Sequence, residues 1–154
     1  MMNSLWVYTY IAFVIAYLMW VNRVYKNLIA ATVSGLRHTP AWAVGWYFIP
    51  VANLFKPYIV MKEIYLASLN AKESKSWKDK AVPKTLGIWW FMFVVGNLLA
   101  GRPFSFNTIS DFKADAVLII ISEPMLIISG ICLILIMNRI TKVQDNDLLD
   151  RMNV

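Results

Sequence analysis

Glu123 stands inside an uncharged run, AVLIIISEPMLIISGICLILIM (Ala116–Met137), and Pro124 follows it directly. An ionisable residue in such a run is a functional hypothesis by default, and the proline frees a backbone carbonyl nearby. Together they would suit a proton or cation site. The plainer reading is a carboxylate neutralised by Lys56, Arg102 or Lys113, or by a proton. A second constellation lies in TPAWAVGWYFIPVANLFKPYIVMKEIYLAS (Thr39–Ser68), a stretch apolar enough for a membrane span but broken by Pro50, Asn53, Lys56 and Pro57. Lipid cannot hydrogen-bond a broken backbone, so such a break at membrane depth has to be covered by protein or by a water-filled cavity. Asn53 is placed to cap the freed backbone groups, and Lys56, Lys62 and Glu63 are placed to line an ion or substrate path. Snorkelling lysines with Glu63 as a local partner explain the same residues without a path.

Other chemistries lack their residues. His38 is the single histidine and Cys132 the single cysteine, and no HExxH pattern or cysteine cluster is present, which argues against a metal site and a disulfide. There is no glycine-rich phosphate loop and no G-x-S-x-G. The expectation is a non-enzymatic protein without cofactor.

Composition sets the class. The 154 residues are 59% hydrophobic and only 16% charged, against about 25% charged in soluble domains. The +6 formal charge marks cytoplasmic loops rather than a nucleic-acid site, because the aromatics lie in the apolar runs and not on a basic face. The N-terminal run has no basic leader and reads as a retained span.

Three runs qualify as spans: Leu5–Val21, Thr85–Gly101 and Ala116–Met137. Between the first two, Thr39 is a good N-cap and Pro40 suits the first helical position. A half-helix then runs to Ile49, Pro50 stops it, and Pro57 restarts a helix to about Asn70. Residues 70–84 and 102–115 are polar connections. The division expected is one integral membrane domain, 1–142, and a frayed polar tail, 143–154.

Charge decides between two topologies. If Thr39–Ser68 dips in and returns, with the N-terminus outside, twelve of the Lys and Arg residues lie inside and two outside. If it crosses fully, the split is nine to five. The first obeys the positive-inside rule better and keeps Lys62 and Glu63 out of the bilayer centre. The fold expected is an all-α, multi-pass transmembrane bundle of three full spans plus a re-entrant or interfacial helical hairpin; four full spans is the alternative. The C-terminus is then cytoplasmic. Arg23, Lys26, Arg37, Lys72, Lys75, Lys78 and Lys80 form a cytoplasmic basic surface suited to anionic lipids or an acidic protein partner.

The stretch from His38 to Ser68 resembles the signature of the bacterial domain of unknown function 4328 family. Pro40, Trp42, Gly45, Trp46, Pro50, Asn53, Leu54, Pro57, Tyr58, Glu63, Ala67 and Ser68 stand in matching places. So do Arg23, Tyr25 and Asn27 after the first span, Leu86–Trp90, and Arg139–Thr141. Tyr47, Phe55 and Tyr65 depart from tryptophan, each aromatic for aromatic, and Glu123 is outside the pattern. The resemblance implies a multi-pass bacterial membrane protein and no reaction. The function expected is a scaffold, anchor or sensor of the inner membrane, acting through lipids, a protein partner or further copies of itself. The alternative is a small oligomeric channel or transporter that uses the break and Glu123.

Overall fold

The structure, a computed structural model, describes residues 4–71, 76–101 and 109–148. Lys72, Lys75 and Arg102 lie outside the described residues. Five α-helices follow one another: α1 Ser4–Ala30, α2 Pro40–Gly45, α3 Lys56–Leu69, α4 Lys84–Ala100 and α5 Ile109–Val143. No strand occurs among the described residues. The chain divides into two compact units, Met1–Lys80 with Ile140–Val154, and Ala81–Arg139.

In the first unit, α1 is apolar and exposed over its first half, where Tyr8, Tyr10, Phe13 and Met19 point outward. Its last third is buried, through Val21, Val24, Tyr25 and Leu28. The helix ends in a Schellman turn: Val33 N–H bonds Leu28 C=O at 3.1 Å and Thr32 N–H bonds Ile29 C=O at 2.9 Å. Thr32 takes the left-handed conformation this requires, with φ 55°.

The segment that follows forms a hairpin. Thr39 caps α2 as its sequence implies, with its Oγ1 accepting from Trp42 N–H at 3.3 Å, and Pro40 occupies the first turn. The helix tightens into a 3-10 turn, Trp46–Phe48, then breaks at Ile49 and Pro50. A second 3-10 turn, Ala52–Leu54, leads into α3, with Pro57 in its first turn.

Bonds to α1 fix how far the hairpin reaches. Asn22 Nδ2 donates to Pro40 C=O at 3.2 Å, and the hydroxyls of Tyr17 and Tyr47 meet at 2.8 Å. Tyr17 lies about 7.5 Å along α1 from Asn22, at 1.5 Å per residue. The returning arm then brings Glu63 back to Tyr25. The chain therefore descends along the apolar part of α1 and comes back to the end it left. Val60, Met61 and Ile64 bury the returning arm, each contributing about 1.5–3 kcal/mol.

Two expectations about the break are corrected. It is not covered by protein, because Phe48, Val51 and Phe55 at the tip are 71%, 74% and 63% exposed. Nor does the Asn53 side chain cap it: Asn53 is exposed, and the chain closes its own gap with Asn53 N–H to Ile49 C=O at 2.7 Å and Phe55 N–H to Ala52 C=O at 3.0 Å. These backbone bonds take the place of the expected side-chain cap.

In the second unit, α4 and the body of α5 approach at Gly96. A Cβ there would sit 2.9 Å from Leu126 Cδ2 and 3.0 Å from its Cγ. Ser129 Oγ donates to Trp89 C=O at 3.1 Å. Two helical stretches, Val7–Ala30 and Asp115–Asn146, are long and apolar enough to cross a membrane; α4, with 17 residues, is shorter.

Overpacking a tight contact costs about 1–3 kcal/mol. Gly96→Val should therefore lower the thermal midpoint in detergent by several degrees. Gly87→Ala and Gly130→Ala, where an added Cβ meets nothing within 4 Å, should leave it unchanged or raise it. Equal midpoints for all three variants would contradict the close approach at Gly96.

Candidate functional site

Glu63 is the centre of the polar structure. It lies two turns into α3, is only 4% exposed, and faces the buried third of α1. Its Oε1 accepts a short hydrogen bond from the Tyr25 hydroxyl and a second, at 2.9 Å, from the backbone N–H of Arg37. The Tyr25 hydroxyl in turn accepts the backbone N–H of His38 at 3.0 Å. One carboxylate and one phenol thus tie α1, α3 and two successive amides of the loop between α1 and α2. Bonds to an ionised acceptor are the stronger kind, and removing one partner would strand the other in a buried place.

A second buried polar group extends this core. Gln144 is 2% exposed, although composition assigns it to the polar tail. Its Nε2 donates to Val24 C=O at 3.1 Å and to Ser68 Oγ at 2.9 Å, and its Oε1 accepts from Asn27 Nδ2 at 3.1 Å. Trp20 Nε1 donates to Thr141 Oγ1 at 3.2 Å. The end of α5 and the turn Gln144–Leu148 are therefore built into the first unit.

The predicted site residues separate into several places. Lys56 does not pair with Glu63; its Nζ lies 4.5 Å above the Trp46 ring, a cation–π contact. His38 meets the same ring edge-on at 6.3 Å. Asn53 is at the exposed tip. Arg23 and Lys26 line a cleft of about 510 Å³ with Asn22 and Asn27. Lys80 is exposed. Glu123, expected to face other helices, is exposed instead. Only its neighbour Ser122 is buried, bonded to Ile119 C=O at 3.3 Å.

Arg37, Lys62 and Lys78 are brought together with Glu63 around a cleft of about 210 Å³, completed by Tyr58, Ile59, Leu66 and Trp77. Trp77 anchors the short turn Ser76–Asp79 by donating its indole N–H to Ser34 C=O at 3.0 Å. Among the described residues no group of His, Cys, Asp and Glu could hold a metal ion. Tyr25, Ser68, Trp77 and Gln144 were not singled out by residue type. The available signal was position: Tyr25, Asn27, Glu63 and Ser68 all lie in the stretches that carry the family resemblance.

Glu63→Gln keeps the shape but removes the charge; with Tyr25→Phe, it should destabilise by about 1–3 kcal/mol, and the double variant should lose less than the sum of the two. Additive losses in detergent melts would argue against a shared bond. Burial holds the His38 imidazole below its ordinary value, opposed by the Glu63 carboxylate, which pulls it up, and aided by Lys56 and Arg37. The folded chain therefore binds protons less readily than the unfolded one. Stability should fall as pH drops through about 6.5, and His38→Gln should flatten that part of the melting-against-pH curve.

No curated protein and no solved structure matches this chain. The family described as "Domain of unknown function (DUF4328)" matches residues 1–142, a stretch that contains the hairpin, the Glu63 clamp, the first long apolar helix and all but the end of the second. The chain belongs to that family.

Proposed function

We propose that this is a non-enzymatic protein of the cytoplasmic membrane, a scaffold, anchor or sensor whose hairpin enters one leaflet and leaves on the same side. α1, α4 and α5 are the spans, the N-terminus is outside, and the C-terminus is cytoplasmic. The observation that carries this is the hairpin's shape. Its two arms meet α1 at Asn22 and Tyr25, while its tip reaches past Tyr17 with Phe48, Val51 and Phe55 outward. An apolar tip with internally satisfied backbone suits the acyl boundary of a leaflet. The charged base, with Arg37, Lys62 and Lys78, suits the headgroup level.

Transport is less well supported. Asn53 and Glu123 are exposed, Lys56 is engaged by Trp46, and none of the three lines any of the clefts described around α1 and α3. A path would have to be supplied by further copies of the chain.

Thiol labelling tests the topology. In a Cys132→Ser background, Arg37→Cys and Asn70→Cys should both react with an impermeant maleimide only from the cytoplasmic side of oriented membrane vesicles. Val51→Cys should be shielded from it and accessible to a lipid-soluble quencher. Labelling of Arg37→Cys and Asn70→Cys from opposite sides would mean that the segment crosses. Ion flux through reconstituted vesicles that disappears in Glu123→Gln would replace this reading with transport.

A further inference from the structure

We propose that the cleft lined by Arg37, Lys62 and Lys78 binds the phosphate of a membrane phospholipid, with the acyl chains directed along α3 toward the hairpin tip. The inference rests on the membrane reading above and adds a defined ligand site to it.

Three separate stretches of chain supply the cations. Arg37 comes from the loop after α1, Lys62 from α3, and Lys78 from the turn Ser76–Asp79. Two of the three are held by separate devices. The Arg37 backbone is fixed by Glu63 Oε1 at 2.9 Å. The turn bearing Lys78 is fixed by the bond from Trp77 to Ser34, at 3.0 Å. Gly35 gives Lys78 its space: a Cβ on Gly35 would lie 2.9 Å from Lys78 Nζ, and its φ of +81° favours glycine. Arg37 and Lys78 remain exposed and Lys62 half-buried, and the Lys78 Nζ rests 5.5 Å from the centre of the Trp77 ring at the cleft wall. The Glu63 carboxylate at the floor is already engaged by Tyr25 and by the Arg37 amide, which leaves the cleft net cationic.

The lining also changes character along α3. Toward the tip it is Tyr58 and Ile59; toward the base the charged groups Lys62 and Glu63 appear, beside Leu66 and Trp77. An amphiphile with its phosphate at the base and its chains toward Phe55 matches that order, whereas a free phosphate ester would use only the base. The volume, about 210 Å³, is below the roughly 300–1,000 Å³ of pockets for drug-sized molecules and suits a headgroup. Arginine and lysine in convergence are the usual phosphate ligands.

The test uses the full-length protein purified in mild detergent, titrated with phosphatidylglycerol and followed by native mass spectrometry. Wild type should retain the lipid at a fixed ratio. The triple variant Arg37→Gln, Lys62→Gln, Lys78→Gln should bind it at least tenfold more weakly, while the control Lys84→Gln with Lys142→Gln, two exposed lysines outside the cleft, should bind as wild type does. Lys78→Gln alone, on an exposed side chain, should lose several-fold and keeps the test readable if the triple variant does not fold. Equal retention by the cleft and control variants would overturn the site. Binding of glycerol phosphate as tight as that of the lipid would assign the cleft to a soluble phosphate ester and overturn the lipid assignment. Thiol labelling from opposite sides would sink the hairpin topology without altering the detergent titration, so the two failures remain distinguishable.

Discussion

The buried carboxylate of Glu63 holds the first unit together. An ionised group at 4% exposure is tolerable only when hydrogen bonds replace its hydration. Here the donors are a phenol on one helix and an amide in the loop beyond that helix. Satisfying the charge therefore forces three pieces of chain into one place. The loop after α1 cannot drift, the hairpin must start beside Asn22, and α3 must return to Tyr25. The cleft beside Glu63 follows from the same constraint, because the loop that the carboxylate holds also carries Arg37 and the Ser34 carbonyl that anchors Trp77.

The hairpin depends on a different economy. Phe48, Val51 and Phe55 at its tip are exposed, and short-range backbone bonds join Asn53 to Ile49 and Phe55 to Ala52. Two 3-10 turns replace the tertiary cover that an irregular segment ordinarily needs. Side chains are then free to face outward, and at this tip they are large and apolar. In the topology proposed above, the two ends of the hairpin have opposite solvents, hydrocarbon for Phe48, Val51 and Phe55, water and headgroups for Arg37 and Lys78.

Local features were legible from residue order. Thr39 as a cap, Pro40 in the first turn, the stop at Pro50, the restart at Pro57 and the end near Asn70 are all decided within four residues of themselves. Distant pairings were not. Glu63 is separated from Tyr25 by 38 residues, and nothing in either neighbourhood names the other. Gln144 was hidden because an aspartate-rich stretch reads as solvent-facing, while its partners Val24 and Ser68 lie 120 and 76 residues away. The outward face of Glu123 was hidden for another reason. α5 is apolar on every side around it, so periodicity carries no information about which way a residue points. Asn53 misled because asparagine is a good cap wherever donors are free, and here the backbone had already used them.

Gln144 has a consequence for the order of assembly. The first unit is discontinuous: its two parts are separated by the whole of Ala81–Arg139. The hydrogen bonds from residue 144 to Val24 and Ser68 cannot form until the whole of Ala81–Arg139 has been made. Until then the Val24 carbonyl and the Ser68 hydroxyl lack their final partner. α1, the hairpin and α3 can assemble early around Glu63, but the unit closes last. Gln144 is thus less part of a tail than a bolt, drawn across after every other helix has been made.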